Sequence, residues 1–167
     1  MIGDAIVEWV PLAAHVPSSA ASQTSRTVDR DLELEYPYVD LTGQIIGAAY
    51  AVHRAKGFGF LEKVYRRALV VELEYLGFHS QREVTFDLYH RGVPIGIYRA
   101  DMIVESRVVV EVKTGLLLDP AVIPKTLNYL RASSLSIGLV IYFGPRLRVK
   151  RVTDCSATGL TSTTARF

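Results

Sequence analysis

The 167-residue sequence predicts an α/β (α+β) chain, with a mixed central β-sheet flanked by helices in the order ααβββαββ. Three observations lead there. Apolar residues recur at helical spacing through two stretches between residues 41 and 77. Beyond Gly77 the period changes to two, through three consecutive strand-like runs. One more helical stretch then precedes two further runs of β type.

"LTGQIIGAAYAVHRA" (41–55) carries Leu41, Ile45, Ala48, Ala49 and Val52 on one helical face. "KGFGF" (56–60) interrupts it with two glycines, and "LEKVYRRALVVELEYLG" (61–77) forms a second helix with Gly77 as its stop. "VTFDLYH" (84–90), "IGIYRADMIV" (95–104) and "VVVEVKT" (108–114) read as strands, and Arg91-Gly92 turns the first into the second. "DPAVIPKTLNYLRAS" (119–133) is helical, since Pro120 is tolerated at a helix start and Pro124 falls in the first turn. "SIGLVIYFG" (136–144) and "LRVKRV" (147–152) complete the sheet, and Arg146, Arg148 and Lys150 suit the last run to an edge.

Residues 1–36, including "PSSAASQTSRTVDRDLELE", are rich in Ser, Thr and charge and lack a sustained period, so they read as a mobile N-terminal arm. The expected domain spans 37–152, and 153–167 reads as a flexible C-terminal tail. The composition, 49% hydrophobic and 22% charged, suits one globular domain of this length. A net charge of +2 permits a nucleic-acid partner without arguing for one. The single Cys155 excludes an internal disulfide, and four scattered histidines do not make a zinc site. The one stretch resembling a signal peptide, "AIVEWVPLAAHVPSSAAS", is broken by Glu8 and preceded by Asp4. No apolar run approaches the roughly 18 residues a membrane span needs. The expectation is a soluble, cytoplasmic protein with no membrane partner.

The informative stretch is "DMIVESRVVVEVK" (101–113). If Glu105-Ser106-Arg107 closes a hairpin, Val104 faces Val108, Met102 faces Val110, and Asp101 stands opposite Glu111. Lys113 then shares a face with both acids. Carboxylates about 5 Å apart repel by roughly 3 kcal/mol at an effective dielectric near 20, and one lysine cannot offset two partners. A divalent cation between the oxygens would make sense of the arrangement. A structural ion cluster is the competing explanation. Glu62, three residues before Tyr65 on the second helix, leans toward the sheet, although Glu72 leans the same way. Lys63, Arg66 and Arg67 mark the wet side of that helix.

"GFLEKVY" (Gly59, Glu62, Tyr65), followed by "YRAD" and "EVK", resembles the GxxExxY protein family, a branch of the PD-(D/E)XK nuclease-like superfamily. The resemblance runs from about Leu41 to Val152 and also takes in "LNYLRA". It implies a restriction-endonuclease-like core and a magnesium-dependent (or manganese-dependent) nuclease that hydrolyses phosphodiester bonds of nucleic acid, DNA ahead of RNA. Carried over residue by residue, it makes Glu62, Asp101 and Glu111 the metal ligands. Lys113 is then the residue that orients or activates water. The position that is often glutamine in the family is Lys125, with Tyr129 following, and the resemblance gives this pair to substrate binding. By spacing alone they are a solvated lysine and a packed tyrosine. An asparagine common in the fourth strand is replaced by Tyr142. The alternative implied function is a catalytically silent nuclease fold that binds nucleic acid or a protein partner.

Overall fold

The computed structural model describes residues 5–10 and 39–155. In chain order the elements are β1 (Ala5–Trp9), α1 (Val39–Lys56), α2 (Glu62–Tyr75), β2 (Ser80–His90), β3 (Val93–Val104), β4 (Val108–Thr114), α3 (Val122–Ser133), β5 (Ile137–Phe143) and β6 (Leu147–Asp154). The strands form one six-stranded sheet in the order β1-β6-β5-β4-β3-β2. Only β4 and β5 run parallel, and α3 is the crossover between them.

Two apolar clusters hold the layers together. On one face α1 and α2 bury Ile45, Ala49, Tyr65, Leu69 and Leu73 against Met102, Val110, Leu139 and Ile141. On the other, α3 sets Leu127, Tyr129 and Leu130 against Ile103, Val109, Val140 and Val152. The central strands β4 and β5 are covered on both sides, which is why "VVVEV" and "IGLVIYF" read as nearly continuous apolar runs. A Cβ at Gly138 would meet Thr126 Cγ2 at 2.8 Å, so glycine there sets how closely α3 lies on β5.

Two expectations need correction. Within the arm expected to be mobile, Ala5–Trp9 forms a strand that pairs antiparallel with β6, from Ala5↔Asp154 to Trp9↔Lys150. The remainder of that arm and residues 156–167 of the expected tail lie outside the described residues, and β6 itself runs to Asp154. Consequently β6 is not an edge. Its basic residues have a neighbour instead: Lys150 Nζ lies 4.5 Å from the centre of the Trp9 ring and Arg148 lies 6.0 Å from it. Among the described residues no helix is long and apolar enough to cross a membrane.

Candidate active site

The β3–β4 hairpin has the register expected, with Val104↔Val108, Ile103↔Val109 and Met102↔Val110. Its loop contains no glycine, yet Glu105 and Ser106 both adopt left-handed backbone, with φ of 53° and 55°. Arg107 N–H closes the turn on Val104 O at 3.0 Å. The backbone of Glu105 donates to His79 O at 2.9 Å, and its carboxylate accepts the His79 N–H. Those bonds offset the cost of the conformation.

Beyond Met102↔Val110 the backbone ladder between β3 and β4 stops, and the strands fork. The pairing of β3 with β2 also skips Asp101, opposite Glu83, whose φ is 51°. The backbone donors stranded at the fork are taken up by side chains, crosswise. Asp101 N–H donates to Glu111 Oε1 at 3.1 Å, and Val112 N–H donates to Asp101 Oδ2 at 2.9 Å. The two acids therefore stand side by side because each satisfies the other strand's backbone.

Lys113 sits among them. Its Nζ lies 3.3 Å from Glu111 Oε2, 3.4 Å from Asp101 Oδ2 and 3.7 Å from Glu62 Oε1, and donates to Val112 O at 2.8 Å. Glu62 comes to this place because it opens α2, and Tyr65 fixes where α2 begins. The Tyr65 hydroxyl donates to Gly57 O at 2.6 Å and accepts the Phe60 N–H at 3.3 Å. Its ring stacks on Phe143 with centroids 4.4 Å apart. The loop it pins turns through Gly57 and Gly59, whose φ values of 70° and 114° suit glycine.

The sequence reading missed Arg66, which it assigned to the wet side of the helix. Arg66 Nη1 donates to Asp101 Oδ1 at 2.9 Å and lies 3.8 Å from Glu83. Its position one helical turn after Glu62 was the available signal, because residues four apart share a face. Thus Asp101 holds Arg66 on one oxygen, with Lys113 and Val112 N–H on the other.

Glu111 is only 1% exposed, and its pKa is raised, chiefly by burial and then by the nearby Asp101 charge, with Lys113 pulling the other way. For Lys113 burial works downward, but Asp101, Glu111 and Glu62 together outweigh it, and its pKa is raised. The ammonium therefore stays charged throughout the neutral range.

On α3, the Tyr129 hydroxyl donates to Arg99 O at 2.6 Å and its ring meets Tyr98 edge-on. Lys125 Nζ lies 5.5 Å from the centre of the Tyr129 ring, and its pKa is raised by its hydrogen bond to Tyr129. Lys125 also favours the ionised form of Glu111, so this pair borders the site. Tyr142 lies beside Lys113 in the parallel register, and its hydroxyl donates to Gly115 O at 2.7 Å.

The fork offers a divalent cation hard oxygen donors: the Asp101 and Glu111 carboxylates, with Glu62 on the far side of Lys113. Three carboxylates against Lys113 and Arg66 leave one negative charge uncompensated, which suits a cation. Among the described residues, no three His, Cys, Asp or Glu side chains are already drawn together as a metal-binding group. Lys113 Nζ stands between Glu62 and the two sheet acids.

The sequence pattern of the PD-(D/E)XK nuclease superfamily matches residues 39–152. A solved structure, that of SSO0001, is similar at 21% identity over 75% of this chain, with a TM-score of 0.44. The match takes in 62% of that longer chain. No curated protein matches.

Proposed function

Given that the chain belongs to the PD-(D/E)XK nuclease superfamily, we propose that it hydrolyses phosphodiester bonds of nucleic acid with magnesium, or manganese in its place, and that it is of the GxxExxY branch. The observation that carries this reading is the fork: Asp101 and Glu111, each anchored to the other strand's backbone, share the Lys113 ammonium. Asp101 and Glu111 hold the metal, and Glu62 is within reach of the same cluster. A divalent ion held there would lower the pKa of a water and offset charge on the phosphate. Lys113 orients the attacking water and offsets charge on the phosphoryl oxygens as they become more negative. Tyr65 holds the α2 start, and so Glu62, in register with the sheet. Lys125, exposed on α3, contacts the substrate, while Tyr129, expected to share that role, is 1% exposed with its hydroxyl on Arg99 O and supports Lys125 from the core. DNA is the substrate proposed ahead of RNA, and the cytoplasm the compartment.

One observation favours the second reading, a silent module that binds nucleic acid or a protein partner. Arg66 on Asp101 Oδ1 and Lys113 on Oδ2 already balance that carboxylate without a metal. The assay incubates the natural protein and Glu111→Ala, each with a melting curve beside it, with mixed DNA and RNA, in magnesium, in manganese and in chelator. Metal-dependent cleavage lost in the variant is the expected result. Binding without cleavage under every condition selects the silent module.

A further inference from the structure

We infer that the cleft between α2 and β2 seats a nucleic-acid backbone, and that Arg66 and Ser80 receive a phosphate next to the reacting one. This deepens the proposed function and rests on it. The cleft holds about 690 Å³ and opens beside the fork, with Asp101 in its wall. Lys63, Arg66 and Arg67 line it from α2, and Ser80 and Arg82 from β2.

Its charge is one-sided. The two acids in the lining, Glu83 and Asp101, both lie within 4.0 Å of Arg66. Among the described residues no carboxylate lies within that distance of Lys63, Arg67 or Arg82, all of which are exposed. Three cations thus face the cleft with no carboxylate beside them among the described residues.

Its floor carries a second, independent signal. Arg66 Nε and Ser80 Oγ are buried and have no hydrogen-bond partner among the described residues. A buried donor left without an acceptor is costly, and native proteins rarely tolerate one without a reason. Each is a donor of the kind a phosphate oxygen satisfies, and a guanidinium suits phosphate better than an ammonium does. Arg66 is also the link to the chemistry, because its Nη1 is already bonded to Asp101. A phosphate on its Nε is therefore one guanidinium away from the fork. A chain of phosphates, one per nucleotide, fits a groove with cations along both walls and donors in its floor.

Another sizeable cavity, lined by Trp9, Tyr50, His53 and Arg148 among others, has the opposite character. It is largely apolar and lies across β6, away from Asp101. Its arginines supply the control for non-specific charge.

The test measures fluorescence anisotropy of labelled oligonucleotides of one sequence, as single-stranded DNA, duplex DNA and RNA. Chelator is present so that nothing is cut. The proteins are the natural chain, Lys63→Ala/Arg67→Ala/Arg82→Ala, Ser80→Ala, and the control Arg146→Ala/Arg148→Ala. Because the three cations are exposed, the triple variant should melt with the natural protein. Its affinity should fall at least about tenfold, and the slope of log K against log salt should flatten by roughly 2 to 3, one phosphate contact per cation removed. Ser80→Ala should weaken binding without changing the slope, since it removes a donor and no charge. The control should bind like the natural protein.

An unchanged affinity and slope in the triple variant overturns the inference, as does a control that loses as much. Failure of the natural protein to bind any of the three oligonucleotides overturns it too. Cleavage in magnesium is read separately. Cleavage that survives the triple variant leaves the nuclease reading standing and removes the cleft from it. Binding that depends on the cleft, without cleavage, does the reverse.

Discussion

Replacing Lys113 with methionine keeps an unbranched side chain, one atom shorter, and deletes the charge shared by Asp101, Glu111 and Glu62. Each of the three contacts, at 3.3 to 3.7 Å, is worth about 5 kcal/mol gross at an effective dielectric near 20. Most of that is offset by the cost of drying the ammonium, which is 24% exposed. What remains in Lys113→Met is two acids facing each other, one of them fully buried. Stripping one partner from a buried pair costs about 3 to 5 kcal/mol. Asp101 keeps Arg66 and Val112 N–H, so the lower end applies, and roughly 3 kcal/mol corresponds to a melting point lower by about 10 °C for a domain of this size.

The same loss should depend on pH, with a fixed sign. The Glu111 pKa is raised by burial and by Asp101, and Lys113 restrains that rise. Deleting Lys113 raises it further. A carboxyl whose folded pKa exceeds its unfolded value binds a proton more readily in the folded state, so the fold gains stability as the pH falls toward that value. The deficit of Lys113→Met relative to the natural protein should therefore narrow between about pH 8 and about pH 5. Thermal melting by circular dichroism in chelator at the two pH values is the measurement. A variant that melts within a degree or two of the natural protein at both, or a deficit that widens on acidification, refutes the coupling.

Glu111→Gln keeps the shape of the side chain, removes the charge that burial and Asp101 disfavour, and should melt level with or a few degrees above the natural protein in chelator. Magnesium at tenfold its Kd should stabilise the natural protein by about 1.4 kcal/mol and the variant by less; a lower melting point for the variant, with no magnesium effect on either, makes the cluster purely structural. Deleting residues 1–10 removes β1, its Glu8–Arg151 bond of 2.9 Å and the cover over β6, and should lower the melting point by several degrees and promote association through the bared edge. Calorimetry and light scattering on the shortened chain check this, and an unchanged melting curve would mean that β1 contributes nothing to the sheet.

The elements from α1 to β6 were legible because each carries its own period and its own stop, such as the helical spacing ending at Gly77. The acid pair was legible because a hairpin register follows from its loop length, and Val104 and Val108 bracket the loop. What stayed hidden depends on partners far along the chain. "AIVEW" becomes a strand only because β6, some 140 residues later, offers an edge, and no local pattern records that. Arg66 carried a signal that its company masked: it lies four residues after Glu62 on the same face, but between Lys63 and Arg67 it reads as one more solvated cation. The left-handed Glu105 carries no local signal either, since its stabilising partner is His79, separated from it along the chain by β2 and β3.

The fork also bears on how any test at Glu111 or Asp101 must be interpreted. In each carboxylate one oxygen accepts a backbone N–H from the opposite strand, and the ionic contacts lie on the same group. An alanine at either position thus removes a candidate ligand and leaves an N–H at the fork without its acceptor, a cost of about 1 to 3 kcal/mol. Lost cleavage in Glu111→Ala is informative only beside a melting curve. Glu111→Gln separates the two roles, because its amide oxygen can still accept the Asp101 N–H while the negative charge is gone. If Gln restores the fold but not the metal response, the backbone role and the ligand role belong to different properties of one side chain: the acceptor oxygen to the sheet, and the charge to the site.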